Sequence, residues 1–289
     1  MSFQILTDTC ANLPYEMVSE LGLDICSLLF ISEGETYYSY KEGENVDLEQ
    51  FYEMMRNKKV FTTSQINPGE FKDFFCKYLD QGKDILYIGF SSGLSGMMQS
   101  AVIAKAELDE EYPDRKIILV DTLCAALGEG VIVHYAANMQ KEGKSIEEVA
   151  SWVEENKLRL CHWFTVDDLM FLSRGGRVSA TSAIVGTIVG VKPVMHVDNE
   201  GKLILMDKVR GRKQSIRSLV DHMEKTITNP DGQIVGISHG DCIEDAEYLK
   251  KLISEKYNFS KIIVNCLDPV IGSHSGPGTL ALFFLGSER

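Results

Sequence analysis

Short, almost continuous runs of apolar residues alternate in the first half of the chain with stretches where apolar residues recur every three or four positions. The runs at residues 3–8, 84–90 and 116–121 predict buried strands, and residues 25–31 form a further apolar run. The intervening stretches predict helices at residues 14–21, 47–55, 68–79, after Gly96, 125–140 and 145–156. Apolar strands separated by helices are typical of a parallel sheet covered on both faces.

The second half of the chain has a different pattern. Residues 193–197 and 202–206 flank the turn-forming residues 198–201, which predicts a hairpin. Further elements are predicted at residues 159–166, 215–227, 233–238, 243–257 and 261–267. We therefore predict two α/β domains, 1–156 and 157–289. Since no linker rich in Pro, Gly or Ser separates them, we expect the two domains to pack closely.

The charge balance narrows the range of partners. With 29 Lys+Arg against 42 Asp+Glu, the formal net charge is −13 and the pI is about 5.0. A dedicated nucleic-acid-binding protein would carry a basic surface, so no nucleic-acid partner is expected. The first residues have no basic start or apolar core of a signal peptide, and no run reaches the about 20 apolar residues of a membrane-spanning helix. These features favour a cytoplasmic protein.

Cysteine and histidine spacing gives no sign of a metal site. The seven cysteines include no Cys-x-x-Cys pair, and the six histidines include no His-Glu-x-x-His. We expect free, buried thiols in a reducing compartment. No phosphate loop or dinucleotide fingerprint occurs either, so no cofactor is expected.

Two clusters of hydroxyl groups precede predicted helices. The first, Thr62-Thr63-Ser64, is predicted to lie in a loop and is followed by Asn67-Pro68; helix capping by Asn67 or Ser64 explains only part of this cluster. The second, residues 89–96, is a glycine-rich turn between a strand and a helix. Its backbone N–H groups and hydroxyls would suit an anion, although a strand-to-helix turn alone also requires glycine.

The same turn contains a Gly-x-Ser-x-Gly pattern with Ser91 at its centre. In hydrolases this pattern marks a nucleophile between a strand and a helix. His239 or His274, with Asp241 or Asp268, would complete a catalytic triad. A serine esterase that uses Ser91 is therefore the alternative function.

Three further motifs carry candidate binding groups. Arg174 and Arg177 bracket two glycines, and arginine offers forked donors to carboxylates or phosphates, although structural salt bridges would also explain the pair. A basic cluster at residues 208–213, which includes Arg210, stands out on an acidic chain and suits either an acidic partner or a solvated helix start. His274 is predicted to lie in a loop of small residues.

Taken in order, these motifs resemble those of DegV family proteins, and the resemblance covers essentially the whole chain. The opening residues 7–14 are also similar to the start of that family, in which a serine commonly stands at the position of Cys10. The motifs that carry the resemblance are Thr62-Thr63-Ser64-Gln65, Ser91-Ser92-Gly93-Leu94-Ser95-Gly96, Arg174-Gly175-Gly176-Arg177, Lys192-Pro193 and His274-Ser275-Gly276-Pro277-Gly278.

DegV proteins bind a long-chain fatty acid between two α/β domains, so the resemblance implies a ligand tunnel there. It implies that Thr63 and Ser95 hold the carboxylate, with His274 close by. The full set of ligand-binding residues implied is Thr62, Thr63, Ser64, Ser92, Gly93, Ser95, Gly96 and His274. Two departures beside this site, the inserted Ile66 and Met97 in place of the usual threonine, could alter ligand preference.

The resemblance also implies a partner. In bacteria with a fatty acid kinase, DegV proteins present the bound acid to that kinase, which converts the carboxylate to an acyl phosphate. Arg174, Arg177 and Arg210 match positions where the family meets the kinase or the phosphate. The chain would then be a carrier rather than an enzyme, with at most transient membrane contact for lipid exchange.

A fatty acid, with its long apolar tail and single carboxylate, suits a site made of apolar side chains and neutral hydroxyls. Burial of a palmitate-sized tail supplies roughly 12 kcal/mol before ordering costs, at about 0.8 kcal/mol per CH₂. The contacts to the carboxylate then need to orient it more than to add affinity, and neutral hydroxyls provide that orientation. Candidates for the tunnel wall, each of which could equally be ordinary core, are Leu28, Leu29, Phe30, Ile184, Val185, Ile188 and Val189.

Overall fold

The N-terminal part of the protein is built on a parallel sheet. The structure is a computed structural model that describes residues 2–41, 46–179 and 190–289. Four strands form the first sheet: β1 (Phe3–Asp8), β2 (Asp24–Cys26), β6 (Asp84–Gly89) and β7 (Ile117–Asp121). All pair in parallel, in the order β2-β1-β6-β7, and every residue of β6 is buried. The predicted parallel sheet is confirmed.

The N-terminal part also contains helices, three of which begin in the described ranges at a capping side chain, Asp47, Asn67 or Ser145. They are α1 (Tyr15–Leu21), α2 (Leu48–Arg56), α3 (Pro68–Leu79), α4 (Met97–Glu111), α5 (Leu127–Lys141) and α6 (Ile146–Asn156). Asn67 caps α3 and forms a capping box with Glu70. Of the two capping candidates for α3, the structure thus selects Asn67.

A second, three-stranded sheet was not predicted. It contains β3 (Leu29–Ser32), β4 (Glu35–Tyr38) and β5 (Thr62–Ser64), antiparallel in the order β4-β3-β5. The apolar run 25–31 is therefore divided between two sheets. The prediction of a loop at residues 62–64 is wrong, because Thr63 pairs with Phe30 across the β3–β5 ladder.

The C-terminal part contains a mixed six-stranded sheet in the order β10-β9-β8-β13-β11-β12. Its strands are β8 (Leu160–Thr165), β9 (Val191–Val197), β10 (Leu203–Arg210), β11 (Ile234–His239), β12 (Lys261–Cys266) and β13 (Leu280–Leu285). The helices described here are α7 (Met170–Arg174), α8 (Arg212–Thr226), α9 (Ile243–Ser254) and α10 (Pro269–Ser275). The predicted β9–β10 hairpin is confirmed. Strand β13, which no prediction covered, lies in the middle of the sheet.

The parallel sheet and the six-stranded sheet share a common core. A single cluster of buried apolar side chains extends from Ile5 in β1 to Phe283 in β13. Helix α5 lies at the junction, where a Cβ added to Gly128 would come within 2.2 Å of Nε2 of His162. The absence of a side chain at Gly128 thus allows the close packing expected from the missing linker. No helix in the described ranges is long and apolar enough to cross a membrane.

The tip of the β9–β10 hairpin docks on the loop between β6 and α4. Ser91 donates a hydrogen bond to the carbonyl of Gly201 at 2.8 Å. Arg289 secures the same tip, because its guanidinium donates to the carbonyls of Asp198 (3.1 Å), Leu123 (2.8 Å) and Leu160 (3.1 Å). The glycine-rich loop is therefore held by contacts from the C-terminal part.

We expect Arg289→Ala to lower the free energy of unfolding by about 3 kcal/mol, since several carbonyls lose a charged donor. Urea unfolding followed by circular dichroism measures this change. Arg217→Ala is the matched control; Arg217 contacts the Tyr248 hydroxyl at the surface, and its removal should change stability by less than about 0.5 kcal/mol. Equal effects of the two substitutions would contradict the role given to Arg289.

Candidate functional site

A cavity of about 360 Å³ lies where the parallel sheet meets the six-stranded sheet. Cys10 and Phe90 line it just beyond the carboxyl ends of β1 and β6, and Phe164 and Phe283 line it from β8 and β13. Strands β1 and β6 are neighbours whose chain connections run in opposite directions along the sheet. Ligands of open α/β sheets bind at such switch points, and pockets of this size hold small molecules.

Asp8 fixes the two loops that reach the cavity from this sheet. Its buried carboxylate accepts hydrogen bonds from the backbone N–H groups of Cys10 (2.9 Å) and Phe90 (3.1 Å) and from the Tyr87 hydroxyl (2.9 Å). Burial raises the pKa of Asp8, and the three donors oppose that shift. The carboxylate thus holds the ends of β1 and β6 in a defined relation to the cavity.

Most of the cavity wall is apolar. The apolar side chains are Cys10, Leu28, Phe90, Leu94, Ala125, Ala126, Phe164, Leu172, Val197, Leu203, Leu267, Val270, Ile271, Ala281 and Phe283. Leu28 is the one residue of the predicted tunnel wall that lines it in the described ranges, whereas Phe30 packs against Phe51 and Phe61 in the core. The candidates Ile184, Val185, Ile188 and Val189 lie outside the described residues.

A hydrogen bond between Thr63 and His274 marks a polar part of the wall. Oγ1 of Thr63 lies 2.8 Å from Nε2 of His274, and both residues line the cavity. The prediction of a loop at His274 is wrong, because this residue lies in the last turn of α10. A Cβ added to Gly175 would come within 2.2 Å of Nδ1 of His274. Gly175, the first of the two glycines between the arginines, therefore makes room for the imidazole.

Arg177 brings a positive charge to the same cavity. Its Nε donates to the carbonyl of Leu94 at 3.1 Å and another N–H donates to that of Gly175. Within the described ranges no carboxylate pairs with this guanidinium. Burial and the nearby Arg177 charge lower the pKa of His274 to about 4, so the imidazole is neutral at pH 7. The cavity thus offers a cation, a hydroxyl and a neutral imidazole.

Two further predicted residues line the cavity. Ser64 follows Thr63 in β5, and Ser95 precedes the N-terminus of α4, where its hydroxyl accepts from the N–H of Met97 at 3.2 Å. A helix N-terminus favours a negative charge through its free N–H groups. The structure therefore brings together Thr63, Ser64, Ser95, Arg177 and His274.

The remaining predicted residues lie elsewhere. Thr62, Ser92 and Gly96 are exposed, and Gly93 packs against the hairpin tip, where an added Cβ would come within 2.5 Å of the Glu200 carbonyl. Arg174 is exposed and stacks over the Phe171 ring at 4.8 Å. Arg210 is exposed at the end of β10.

Ser91 is a structural residue in this geometry. It is fully buried, donates to the Gly201 carbonyl and accepts from the N–H of Gly93 at 3.1 Å. A serine nucleophile needs a histidine base within hydrogen-bond reach and access to substrate. His274 instead contacts Thr63, and Nδ1 of His239 accepts from the N–H of Cys242 at 3.3 Å. The structure offers no support for the esterase alternative.

Sequence reasoning did not select His162 and Ser275, which also line the cavity. His162 accepts from the N–H of Ala125 at Nε2 (3.2 Å), so its Nδ1 donates to the Leu160 carbonyl (3.0 Å). Burial lowers its pKa well below the usual value, and it stays neutral. Strand alternation places it on the same face as Phe164, a signal that required knowing which face of β8 meets the cavity.

No group of three or more His, Cys, Asp or Glu side chains in the described ranges could hold a metal ion. The seven cysteines are free thiols.

Comparisons with known proteins identify a family. Residues 2–287 match the family model described as "Uncharacterised protein, DegV family". A DegV domain-containing protein of Clostridium perfringens is 46% identical, over 99% of this chain and 98% of the relative. A second relative, YteA of Lactococcus lactis, is 37% identical over 100% of this chain and 99% of its own.

Solved structures of the same family have the same fold. A DegV family protein of Thermus thermophilus, described by its fatty acid binding, superposes with a TM-score of 0.88 at 27% identity, over 99% of this chain and 100% of that one. DegV of Bacillus subtilis, described as a fatty acid binding protein, gives 0.83 at 29% identity, over 99% of both chains.

We expect Arg177→Gln to raise the pKa of His274 above about 4, because it removes the charge that opposes imidazole protonation while leaving burial in place. A pH titration of the imidazole C–H resonances by NMR measures the shift. Arg174→Gln is the control, since Arg174 is exposed and should leave the His274 titration unchanged. Identical titrations in wild type and Arg177→Gln would show that the two groups do not interact.

Proposed function

The chain belongs to the DegV family, and on that premise we propose that it binds one long-chain fatty acid in the cavity between its sheets. The observation that carries this proposal is the wall of the cavity. Apolar side chains from both parts of the protein form most of it. Its polar groups include Thr63, His274 and Arg177, and no carboxylate in the described ranges pairs with Arg177. Such a site suits a molecule with one anionic group and an apolar body.

The carboxylate of the fatty acid contacts the hydroxyls of Thr63 and Ser95 in this proposal, with His274 beside it. Arg177, from the C-terminal part of the protein, supplies the positive charge that balances the carboxylate. The neutral imidazole has one N–H that can donate a hydrogen bond, and it adds no second charge, which suits a single carboxylate. Ser64 is the further hydroxyl on the same wall.

The tail supplies most of the affinity. Each buried CH₂ contributes about 0.8 kcal/mol before the cost of ordering the ligand is subtracted. Phe90, Phe164 and Phe283 present flat apolar surfaces to it, and His162 presents a neutral ring. No charged group other than Arg177 lines the cavity in the described ranges, so the tail meets little that would require hydration.

We further propose that the chain is a carrier that presents the bound acid to a fatty acid kinase. The kinase would transfer the γ-phosphoryl group of ATP to the carboxylate and so produce an acyl phosphate and ADP. Exposed Lys208, Arg210 and Lys213 form a basic edge for that partner, whereas Arg212 pairs with Asp245 at 2.8 Å. The carrier would act in the cytoplasm and contact a membrane only transiently for lipid exchange.

The headgroup assignment predicts a loss of affinity. We expect Thr63→Val to weaken palmitate binding about tenfold and the double variant Thr63→Val, Ser95→Ala about a hundredfold, since each lost hydrogen bond is worth about 1.4 kcal/mol. Displacement of a fluorescent fatty acid from delipidated protein measures the affinity. Thr36→Val, on the exposed strand β4 of the same small sheet, is the control. Unchanged palmitate affinity in the double variant would contradict the assignment of Thr63 and Ser95 to the carboxylate.

The carrier proposal predicts a separation of binding from phosphorylation. With ATP and a fatty acid kinase, we expect Arg210→Glu to reduce the rate of acyl phosphate formation at least fivefold at limiting carrier, while palmitate affinity stays unchanged. Trapping the product with hydroxylamine measures the rate. Lys144→Glu, an equal change of charge at the exposed start of α6, should leave it unaffected. If the kinase does not phosphorylate the bound fatty acid, the proposal of a kinase partner is refuted.

A further inference from the structure

The Ser275 hydroxyl is a polar group of the cavity wall without a partner. Ser275 is the last residue of α10, lines the cavity and is 5% exposed. Its Oγ is buried and makes no hydrogen bond with any described residue. Buried hydroxyls in native proteins are almost always paired, because an unpaired one loses its hydration without compensation. An unpaired hydroxyl on a cavity wall therefore points to a ligand atom.

The other polar groups around Ser275 already have partners. Thr279 donates its hydroxyl to the backbone carbonyls of Ser275 and Gly276, each at 2.9 Å. Both nitrogens of His162 are engaged with backbone groups, and His274 contacts Thr63. Ser275 is thus distinguished from its neighbours by an unused hydrogen-bonding capacity rather than by position alone.

The carboxylate of a bound fatty acid does not need this hydroxyl. Thr63, Ser95 and Arg177 already surround the proposed headgroup site. Successive side chains of a helix diverge by roughly 100°, so Ser275 faces a different part of the wall from His274. Their Cα atoms are nevertheless only about 3.8 Å apart. If the carboxylate lies beside His274, the Ser275 hydroxyl is therefore near the first carbons of the acyl chain.

We propose that Ser275 hydrogen-bonds a hydroxyl group on the first carbons of the acyl chain, so that the preferred ligand is a 2- or 3-hydroxy long-chain fatty acid. This inference rests on the proposed fatty acid binding. A plain chain places CH₂ groups against Ser275 and leaves its hydroxyl unpaired, whereas a hydroxy acid satisfies it. Sites that hydrogen-bond a substrate hydroxyl discriminate against the analogue that lacks it.

Competition binding tests the inference. Palmitic, 2-hydroxypalmitic and 3-hydroxypalmitic acids displace a fluorescent fatty acid from delipidated wild-type protein and from Ser275→Ala. We expect one of the two hydroxy acids to bind the wild type about tenfold more tightly than palmitic acid does, and this preference to vanish in Ser275→Ala. Palmitic acid itself should bind Ser275→Ala at least as tightly as it binds the wild type, since no hydroxyl is left unpaired.

Ser273→Ala is the matched control. Ser273 lies on the same helix and is 4% exposed, but its hydroxyl donates to the Pro269 carbonyl at 2.6 Å and it does not line the cavity. This variant should keep the preference for the hydroxy acid.

Two negative results have different meanings. If palmitic acid binds and neither hydroxy acid binds more tightly, or if the preference survives in Ser275→Ala, this inference is overturned while the proposed function stands. If none of the three acids binds the wild type, the proposed function fails as well.

Discussion

The hydrogen bond between Thr63 and His274 joins segments that are 211 residues apart in the wall of the cavity. Thr63 reaches it because β5 pairs with β3, and His274 reaches it because α10 ends beside that small sheet. Asp268 links the two, since it caps α10 at the N–H of Val270 (2.7 Å) and accepts from the Ser39 hydroxyl after β4 (3.0 Å). One buried carboxylate therefore connects the helix that carries the histidine to the small sheet whose strand β5 carries the threonine.

The electrostatics of the cavity differ from those of the whole molecule. The chain carries a net charge of −13, yet the described cavity wall has Arg177 and no carboxylate. A cation held by the carbonyls of Leu94 and Gly175 retains its full charge, because carbonyl dipoles stabilise it without neutralising it. An anion that enters gains this interaction, while the acidic surface disfavours anions elsewhere. That contrast supports the proposed preference for a singly charged, mostly apolar molecule.

Local sequence signals predicted what local interactions determine. Strand β1 and helix α3 agree with their predicted bounds, since continuous apolar residues, Asn67 and Pro68 act within a few positions. Strand β5 was missed because its three polar residues form a strand only through pairing with β3, about thirty positions away. Helix α10 was missed because four of its seven residues are Gly, Ser or Pro and its stability comes from the Asp268 cap and burial. The unpaired hydroxyl of Ser275 could not be predicted for the same reason, since the lack of a partner depends on residues distant in the sequence.

The Gly-x-Ser-x-Gly turn shows how one local pattern serves different ends. In a hydrolase the strand-to-helix turn exposes the serine to substrate and to a histidine. Here the hairpin tip covers the turn, and the hydroxyl of Ser91 donates its hydrogen bond to the carbonyl of Gly201. The hairpin tip can come this close to Ser91 because residue 201 is a glycine with φ +73°. A Cβ added to Gly201 would lie 2.1 Å from Oγ of Ser91. The hairpin tip thus covers Ser91 and holds the turn that leads to Ser95, whose N–H donates to the Ser91 carbonyl at 3.2 Å.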